Sequence, residues 1–432
     1  MYRGSVVIKD FLAYQGVDPW SVDWQAAQRI YLREMQKGLV QRSGSLAMLP
    51  SYLHVPDRLP TDVPVLVIDA GGTNLRLARA VFGREGQAVC QDMLHMPMPG
   101  SRDVLDADAF FDELARQCAP LLPGVRQIGF CFSFIMRILP NLDAVVEGMS
   151  KQVCIRGIEG RLMGECLRQA LRRQGSAEDY TVALLNDSIA VLLGGAAAFR
   201  GKPVDGMIGF ILGTGTNTAY FEGAHSFGGA LGRQAVGVSM ETSRYNQFPR
   251  GRIDAAFDAT LSDPGAFPFE KMISGRYLGG LAFMLLQAAA DEGLFSAQCT
   301  AALYGLPGLE SRHLDDFWRR TGPLYTLCEQ ETDRQTIAAL CNALMERAAC
   351  LVALNLSCVL RRTGAGRDPA RPAGILAEGS AFYHSAVLRG KIEARLREFT
   401  AGQKTAFQFL HTDHAALTGA AAAALLAASS KR

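Results

Sequence analysis

The chain has 432 residues, of which 49% are hydrophobic and 20% charged, and its formal net charge is +2. A chain of this length and composition buries large cores and is expected to form two domains. Lysine and arginine are scattered without a basic stripe, which excludes nucleic acid as an expected partner. The ten cysteines show no C-x-C or C-x-x-C spacing. That pattern disfavours a zinc site or a redox pair and is typical of reduced thiols in a cytoplasmic protein.

No targeting or membrane segment is predicted. The first 20 residues hold only short apolar patches, broken by Lys9, Asp10 and Asp18, so we expect no secretory signal. The alanine-rich range 415–428 is shorter than the roughly 20 apolar residues that a membrane span needs. We therefore expect a packed terminal helix there, a cytoplasmic protein and no membrane partner. The oligomeric state stays open.

The predicted elements begin with an amphipathic helix at residues 21–42, which Gly44 can end. The periods of the apolar residues then predict strands at 63–70, 75–81, 127–134 and 180–186, a hairpin connection at 83–86, and helices at 106–122 and 189–199. Asp106 or Asp108 is expected near the start of the first of these two helices. The turn-rich segment 200–206 follows and is the candidate domain boundary.

The second half of the chain is predicted to be richer in helix. A strand at 207–212 follows the candidate boundary, and helices are predicted at 277–293 and 335–360. The Pro- and Arg-rich range 361–372 is expected to be an exposed loop. A strand at 374–378 then meets the turn Glu378-Gly379-Ser380. No repeat of fixed period is present.

Two apolar strands end in glycine-rich turns: VLVIDAGGTN at residues 65–74 and IGFILGTGTN at 208–217. Glycine lets backbone come close to a ligand, and a turn that offers its own N–H groups binds an anion without a side chain in the way. A single turn of this kind is more often a tight hairpin. Two of them, each closing a buried strand, favour a nucleotide phosphate clamp.

The catalytic candidate is Asp187, in the sequence LLNDS at the end of the predicted 180–186 strand. Ligands collect at such strand ends in open α/β sheets. The alternative is that Asp187 or Ser188 only caps the following helix, and for the residue alone that reading is favoured. The presence of Asp69 at the first glycine turn, with further polar residues suited to a sugar, favours the catalytic interpretation.

Taken together, these motifs resemble the hexokinases and glucokinases of the eukaryotic type, over most of the chain. The resembling segments are DAGGTNLR at 69–76, GTGTNTAY at 213–220, FEKMISGRYLG at 269–279, GSLAMLPSY at 44–52 and EGS at 378–380. The resemblance implies a two-domain actin-like ATPase (ribonuclease H-like) α/β fold with a cleft between the domains. It further implies a small domain of residues 62–200 plus 413–432 and a large domain of 1–61 plus 201–412.

The same resemblance implies an ATP-dependent hexose kinase that transfers the γ-phosphoryl group of Mg-ATP to the 6-hydroxyl of glucose or a related hexose. Asp187 would orient or accept the hydroxyl proton, and Asp69 would hold Mg²⁺ through water. The implied nucleotide-binding residues are Asp69, Gly71, Gly72, Thr73, Asn74, Arg76, Gly213, Thr214, Gly215, Thr216, Gly379 and Ser380. The implied sugar-binding residues are Ser133, Ser150, Lys151, Asn186, Asp187, Asn217, Glu241 and Glu270.

Amides and carboxylates suit this substrate, because each pairs with one or two sugar hydroxyls. Four departures from the family pattern leave the choice of sugar open: Ile135-Met136 where proline is usual, Ser188 for threonine, unusual neighbours of Glu241, and Glu378 for aspartate. The alternatives are a kinase for mannose, fructose or an amino sugar, and a catalytically weak sugar sensor. The bacterial-type sugar kinases and repressors are disfavoured because their cysteine-rich zinc signature is absent. His411 and His414 are predicted to be structural.

Overall fold

The protein is described from a computed structural model. The structure describes residues 2–55, 58–72, 74–83, 88–148, 153–227 and 234–430. The predicted site residues Thr73, Ser150 and Lys151 lie outside the described residues, as does most of the predicted hairpin connection at 83–86.

The strands of the described residues, numbered in chain order, are β1 Leu49–His54, β2 Val65–Ala70, β3 Asn74–Phe82, β4 Ala88–Pro97, β5 Leu105–Asp106, β6 Gln127–Phe132, β7 Ile135–Ile138, β8 Ala144–Gly148, β9 Ile155–Arg156, β10 Thr181–Leu185, β11 Met207–Leu212, β12 Thr216–Glu222, β13 Val236–Ser239, β14 Ala373–Glu378 and β15 Phe407–Leu410. Five strands are buried along most of their length and coincide with apolar runs that the sequence predicts as strands: β2, β6, β10, β11 and β14.

The α-helices of the described residues are α1 Tyr2–Gln15, α2 Trp24–Gln41, α3 Ala107–Cys118, α4 Met163–Arg173, α5 Asp187–Ala198, α6 Arg252–Thr260, α7 Pro268–Ile273, α8 Leu278–Asp291, α9 Ala297–Tyr304, α10 Arg312–Trp318, α11 Gly322–Thr326, α12 Glu331–Thr363, α13 Ser380–His384, α14 Ala386–Ala401 and α15 Ala415–Ser430. Short 3-10 turns lie at Pro19–Ser21, Ala119–Leu121, Ala224–Phe227 and Thr242–Arg244.

One five-stranded sheet has the order β10-β6-β2-β3-β4. The three strands that come first in the chain, β2, β3 and β4, form an antiparallel meander. Strands β6 and β10 continue the sheet beyond β2 and run parallel to it. The register pairs Asp69 with Arg76 and with Cys131 on the two neighbouring strands. The carboxyl ends of β2, β6 and β10 therefore lie side by side at one edge of the sheet.

The second sheet repeats this arrangement. Its order is β1-β13-β12-β11-β14-β15. Here β11, β12 and β13 form the meander, and β14 and β15 run parallel to β11. Apart from the added β1, strand order and direction match the first sheet, which confirms the predicted duplicated α/β fold.

Helices α5 and α15 form the layer that joins the two sheets. Helix α5 follows β10 and α15 follows β15, the strand that comes last in the chain in each sheet. The two helices pack against each other. In addition, α15 packs on β2, β6 and β10, and α5 packs on β11 and β12. Their backbones cross closely at glycines: a Cβ on Gly419 would lie 1.8 Å from the Ala190 carbonyl oxygen, and one on Gly194 would lie 2.1 Å from that of Ala415. The predicted division of the chain into domains stays a prediction.

The core of the second half is built around α12. This helix is long and apolar enough to span a bilayer, but most of its apolar window is buried inside the protein, as in a core helix. Its fully buried Arg347 forms a two-pronged ion pair with Asp254 of α6, with both N–O distances at 2.7 Å. Burying this charge is tolerated because its partner is equally buried and the geometry is bidentate.

Element ends differ from the sequence prediction where caps decide them. Helix α2 begins at Trp24 because the Asp23 carboxylate accepts the Ala26 N–H at 2.9 Å. Helix α5 begins two residues earlier than predicted, because the Asn186 side chain accepts the Ser188 N–H at 2.8 Å. Helix α1 was not predicted, and α12 extends to Thr363, into the predicted 361–372 loop.

Candidate active site

The carboxyl ends of the six parallel strands meet around one cavity of about 640 Å³. Its lining takes residues from the ends of both sheets, as expected for open α/β sheets. From the first sheet these are Asp69, Gly71, Gly72, Asn74, Arg76, His95, Ser133 and Asp187, and from the second sheet Thr214, Glu378 and His411 to Leu417. The structure thus brings the catalytic candidate Asp187 together with both glycine turns.

Asp187 is the first residue of α5, and its carboxyl group is only partly exposed. Burial raises its pKa to about 7, and the neighbouring charges of Glu241 and Asp69 act in the same direction. Hydrogen bonds from the Ser188 N–H and the Ser133 side chain oppose the rise. A pKa near neutrality suits a general base. Asn186 is the N-cap of α5 and accepts the Ser188 N–H at 2.8 Å, and the same N–H also donates to Asp187 Oδ1 at 2.7 Å.

Asp69 lies at the end of β2, buried beside Cys131. Burial raises the pKa of its carboxyl group, and Arg76 and His95 oppose the rise through their charge. The Arg76 guanidinium lies 3.4 Å from Asp69 Oδ2. Arg76 and His95 are exposed and face each other on β3 and β4. This edge of the cavity therefore combines a carboxylate with a guanidinium and an imidazole that can contact phosphate.

Three glycines let the turns of the second half pack backbone against backbone. The Gly275 N–H donates to the Gly213 carbonyl at 2.8 Å. A Cβ on Gly275 would lie 2.9 Å from that oxygen, and one on Gly379 would lie 2.4 Å from the Leu212 carbonyl oxygen. Gly379 also has a φ of 111°, which disfavours any side chain. The predicted nucleotide residues Gly213 and Gly379 are thus in direct backbone contact.

A second cavity of about 670 Å³ lies on the far side of these turns. Its lining includes Gly213, Thr214 and Ser380 together with apolar side chains from four helices and one loop: Leu278, Leu309, Leu314, Met345 and Leu388. Thr214 lines both cavities and is itself exposed. The two cavities therefore meet at the second glycine turn. The 640 Å³ cavity is polar, and the 670 Å³ cavity is partly apolar.

A hydrogen-bonded group that we call the Ser239 cluster joins the start of α5 to β12 and β13. Ser239 Oγ donates to Glu241 Oε1 at 2.8 Å, accepts from Asn217 Nδ2 at 3.0 Å and shares a hydrogen bond of 3.2 Å with Ser188 Oγ. Asn217 Nδ2 also donates to Glu241 at 3.1 Å. The predicted sugar residues Asn217 and Glu241 are thereby held next to the residue that follows Asp187.

Glu270 lies on α7, near the second glycine turn. Its Oε2 accepts the Thr216 N–H at 3.0 Å, and a Cβ on Gly215 would lie 2.6 Å from that same oxygen. Burial raises the pKa of Glu270 to about 7, while the Thr216 hydrogen bond and Arg276 oppose the rise. Gly215 is therefore required for Glu270 to approach the turn.

Two predicted ligand residues have their groups engaged within the protein. Thr216 is buried, its N–H is bound by Glu270, and its hydroxyl donates to the Ile211 carbonyl at 2.9 Å. The Asn186 oxygen accepts both the N–H and the hydroxyl of Ser188, the latter at 2.6 Å. Asn186, Asn217, Glu241 and Glu270 lie near the 640 Å³ cavity without being among its lining residues. Their ligand roles stay predictions.

Several residues that line the 640 Å³ cavity were not predicted as site residues from the sequence. His411 and His414 line the cavity, where they had been expected to be structural. The His411 ring meets the Tyr383 ring edge to face, and its charge opposes the rise in the pKa of Glu378 that burial causes. His95 was also missed, and Glu378 was named only as part of the EGS segment, not as a site residue. Among the described residues no cluster of three or more metal-ligating side chains is present.

Comparisons with known proteins agree with this architecture. Two family models described as hexokinase match residues 21–197 and 207–426. Hexokinase-1 of Nicotiana tabacum is 30% identical over 92% of this chain and 85% of its own, and Hexokinase-2 of Solanum tuberosum is 30% identical over 92% and 86%. A solved hexokinase from Schistosoma mansoni in complex with glucose has a TM-score of 0.78 at 21% identity, covering 98% of this chain and all of that one. A further hexokinase structure has a TM-score of 0.80.

The fold and these matches define a sugar kinase, a phosphotransferase with an alcohol group as acceptor. The chain belongs to the hexokinase family. It is a hexose kinase, and the resemblance to eukaryotic-type hexokinases is confirmed.

Proposed function

We propose that this hexose kinase transfers the γ-phosphoryl group of Mg-ATP to the 6-hydroxyl of glucose or a related hexose. The observation that carries the proposal is the position of Asp187. Its carboxylate lines the cavity that both glycine turns also line, and burial brings its pKa to about 7. Phosphoryl transfer needs positioning and charge stabilisation more than covalent chemistry, so one base between two phosphate-holding turns is a sufficient arrangement.

The two cavities suit the two parts of a nucleotide. The 670 Å³ cavity, with its leucine and methionine lining, can hold the base and ribose, and Thr214 leads from it into the polar 640 Å³ cavity. There, the Arg76 guanidinium and the His95 imidazole are exposed beside the first glycine turn. Phosphates that enter through Thr214 would end between these two side chains and Asp187. This path supports ATP as phosphoryl donor.

The carboxylates of the polar cavity fit a divalent cation. Asp69 is buried, and burial raises its pKa in spite of Arg76, so its negative charge is incompletely balanced by the protein. Oxygen ligands of this kind are those that Mg²⁺ prefers, usually with several waters retained. When bound there, Mg²⁺ would neutralise charge on the β- and γ-phosphates. Asp69 is the residue that would hold it, through water.

The remaining steps belong to side chains of this chain. The Ser239 cluster fixes Glu241 and Asn217 next to the start of α5, where they can accept and donate hydrogen bonds to sugar hydroxyls. Asp187 accepts the proton of the attacking sugar hydroxyl. The oxygen of that hydroxyl bonds to the γ-phosphorus, and ADP leaves. A base in this role contributes about 10²–10⁴-fold to the rate. Closure of the cleft would exclude water and so limit hydrolysis of ATP.

A kinase for another hexose is the alternative that one observation supports. Ile135 and Met136, which stand where the family usually has proline, begin β7 and pair with β8 in a hairpin next to Ser133. A β-hairpin at this position can change the shape of the sugar site without changing the chemistry. The identity of the hexose is therefore left to experiment.

The test measures ADP release with Mg-ATP across a panel of hexoses that includes glucose, mannose, fructose and glucosamine. The proteins compared are the parent, Asp187→Asn, and Asp179→Asn as a matched control at an exposed carboxylate. We expect sugar-dependent release in the parent and the control, and a loss of about 10²-fold or more in Asp187→Asn. Sugar binding without sugar-dependent ADP release would reject the proposal in favour of a sensor. Analysis of the phosphorylated product by NMR identifies the acceptor hydroxyl.

A further inference from the structure

Two thiols lie in contact on the side of the molecule that carries α9 and α11. Cys299 Sγ of α9 and Cys328 Sγ, two residues after α11, are 3.0 Å apart. They are 29 residues apart in the chain, so sequence spacing gives no hint of the pair. A disulfide requires an S–S distance of about 2.05 Å. The two sulfurs therefore need to approach by only about 1 Å to bond.

Both thiols are buried, yet they lie close to the surface. Each is 1% exposed, but the residues next to them in the chain, Gln298 and Glu329, are exposed. Cys131, Cys341 and Cys358, by contrast, lie within the strand β6 and the long helix α12. A short opening of the α9 end or of the 327–330 turn is enough to admit a small reagent.

The charges around the pair distinguish the two thiols. Asp333 lies near both, and its carboxylate is held by the N–H and hydroxyl of Ser296 at 2.9 and 2.6 Å. Arg334 lies near Cys328, where its charge and the hydrogen bond from Cys299 both favour the thiolate. Burial nevertheless raises the pKa of both thiols. Cys328 is therefore the better nucleophile of the pair, and reaction is slow in the resting protein.

We propose that Cys299 and Cys328 are a modification site at which a hydroperoxide forms a reversible intramolecular disulfide. The Cys328 thiolate attacks one peroxide oxygen and breaks the O–O bond, which gives a sulfenic acid and, from hydrogen peroxide, one water. Cys299 then attacks the Cys328 sulfur and expels the sulfenic oxygen as a second water. Two thiols are oxidised, one peroxide is reduced, and one S–S bond forms.

The disulfide would close a loop that carries part of the 670 Å³ cavity. Between the two cysteines lie Leu309 to Asp316, which line that cavity. Ser311 ties this segment to the neighbouring turn, because its hydroxyl donates to the Gly275 carbonyl at 2.6 Å and accepts the Gly279 N–H at 3.0 Å. Cross-linking its two ends restricts the opening of this segment. Disulfide formation does not depend on what the cavity binds.

The experiment uses the full reduced chain, treated with hydrogen peroxide that is then removed. We expect the thiol count after denaturation to fall from ten to eight, and a digest without reductant to contain one peptide pair linked through Cys299 and Cys328. We also expect amide hydrogen exchange in peptides from the 305–327 range to slow by about tenfold or more, and dithiothreitol to reverse both changes. In the exposed-cysteine variant Cys154→Ser the count should fall from nine to seven, with the same linked peptide pair and the same slower exchange.

The parent protein alone can overturn the proposal. A count that stays at ten, a linked pair that involves other cysteines, or exchange that does not slow in the linked protein would each do so. Cys328→Ser and Cys299→Ser are expected to lose the linked peptide and the slower exchange. If amide exchange in the 305–327 range slowed as much in peroxide-treated Cys328→Ser as in the treated parent, the assignment would likewise be contradicted.

Discussion

Replacing Asp187 by asparagine separates the chemical role of this carboxylate from its effect on stability. Asparagine has nearly the same shape but no charge, so the partial burial of the side chain is kept while the repulsion from Glu241 and Asp69 is removed. The variant should lose most activity, as proposed above. It should nevertheless be more stable than the parent at slightly alkaline pH, because the folded state no longer holds an ionised carboxylate in an unfavourable site.

The magnitude follows from the pKa. A rise from the ordinary 3.8 to about 7 corresponds to about 4 kcal/mol against the ionised form. Solvent contact of this partly exposed group screens the effect, so we expect about 1–3 kcal/mol. Below pH 3.8 the carboxyl group is protonated in both states and the penalty is absent. The penalty grows as the pH rises, because the unfolded chain ionises first, and it is complete above about pH 7.

The assay is urea unfolding of the parent, Asp187→Asn and the exposed control Asp179→Asn at two pH values. At about pH 8 the free energy of unfolding of Asp187→Asn should exceed that of the parent by about 1–3 kcal/mol. At about pH 4 the gain should be less than half as large. The control should match the parent at both. An Asp187→Asn variant that is less stable than the parent at pH 8, or a gain that is independent of pH, would refute the reasoning.

Three further predictions test the fold, the sugar site and the nucleotide site. Gly419→Ala places a Cβ 1.8 Å from the Ala190 carbonyl oxygen and should lower the free energy of unfolding by about 3 kcal/mol or more in urea titrations, whereas Gly390→Ala, which meets nothing within 4 Å, should not. Ser239→Ala should raise the KM for sugar about tenfold, because the three hydrogen bonds of the Ser239 hydroxyl are lost, with the KM for ATP within about twofold; the opposite pattern would contradict the cluster's role. Arg276→Ala should raise the KM for ATP about tenfold in steady-state assays, and an unchanged KM would exclude this cation from the nucleotide site.

Much of the fold could be predicted because its central strands are continuous apolar runs. The runs ending at Ala70, Phe132, Leu185 and Leu212 are buried on both faces, and each stands out from polar surroundings. Their order in the two sheets depends on long-range pairing, which apolar periodicity does not encode, and the family resemblance implied only the fold. The predicted starts of α2 and α5 were wrong by three and two residues, because the single caps Asp23 and Asn186 decide them.

The candidate site was predictable only in part, for similar reasons. Asp69 and Asp187 directly follow apolar strands, so their position pointed to the cleft. His95 lies on β4, an exposed strand with irregular burial, and its approach to Asp69 follows from pairing with Arg76 across the sheet. Ser239 was missed because a serine at the end of an apolar strand carries no signal of its own. Its importance comes from three partners, of which Ser188 and Asn217 are distant in the chain.

The duplication offers a signal that would have found Glu378 and His411. When β1 is left out, each sheet has five strands. Counted in chain order, the first, fourth and fifth strands of each sheet end at the cavity. Ser133 follows the fourth strand of the first sheet, and Glu378 ends the fourth strand of the second. By the same correspondence, His411 follows the fifth strand of the second sheet as Asn186 and Asp187 follow that of the first.

The correspondence extends to the helices that join the halves. Helices α5 and α15 each follow a fifth strand, and they touch where Gly194 and Gly419 leave no room for a side chain. Asp187 is the first residue of α5, and His411 lies in the segment that leads from β15 into α15. A rotation of one sheet on the other about this crossing would therefore move the two side chains relative to each other. Gly419→Ala tests the same contact from the side of stability.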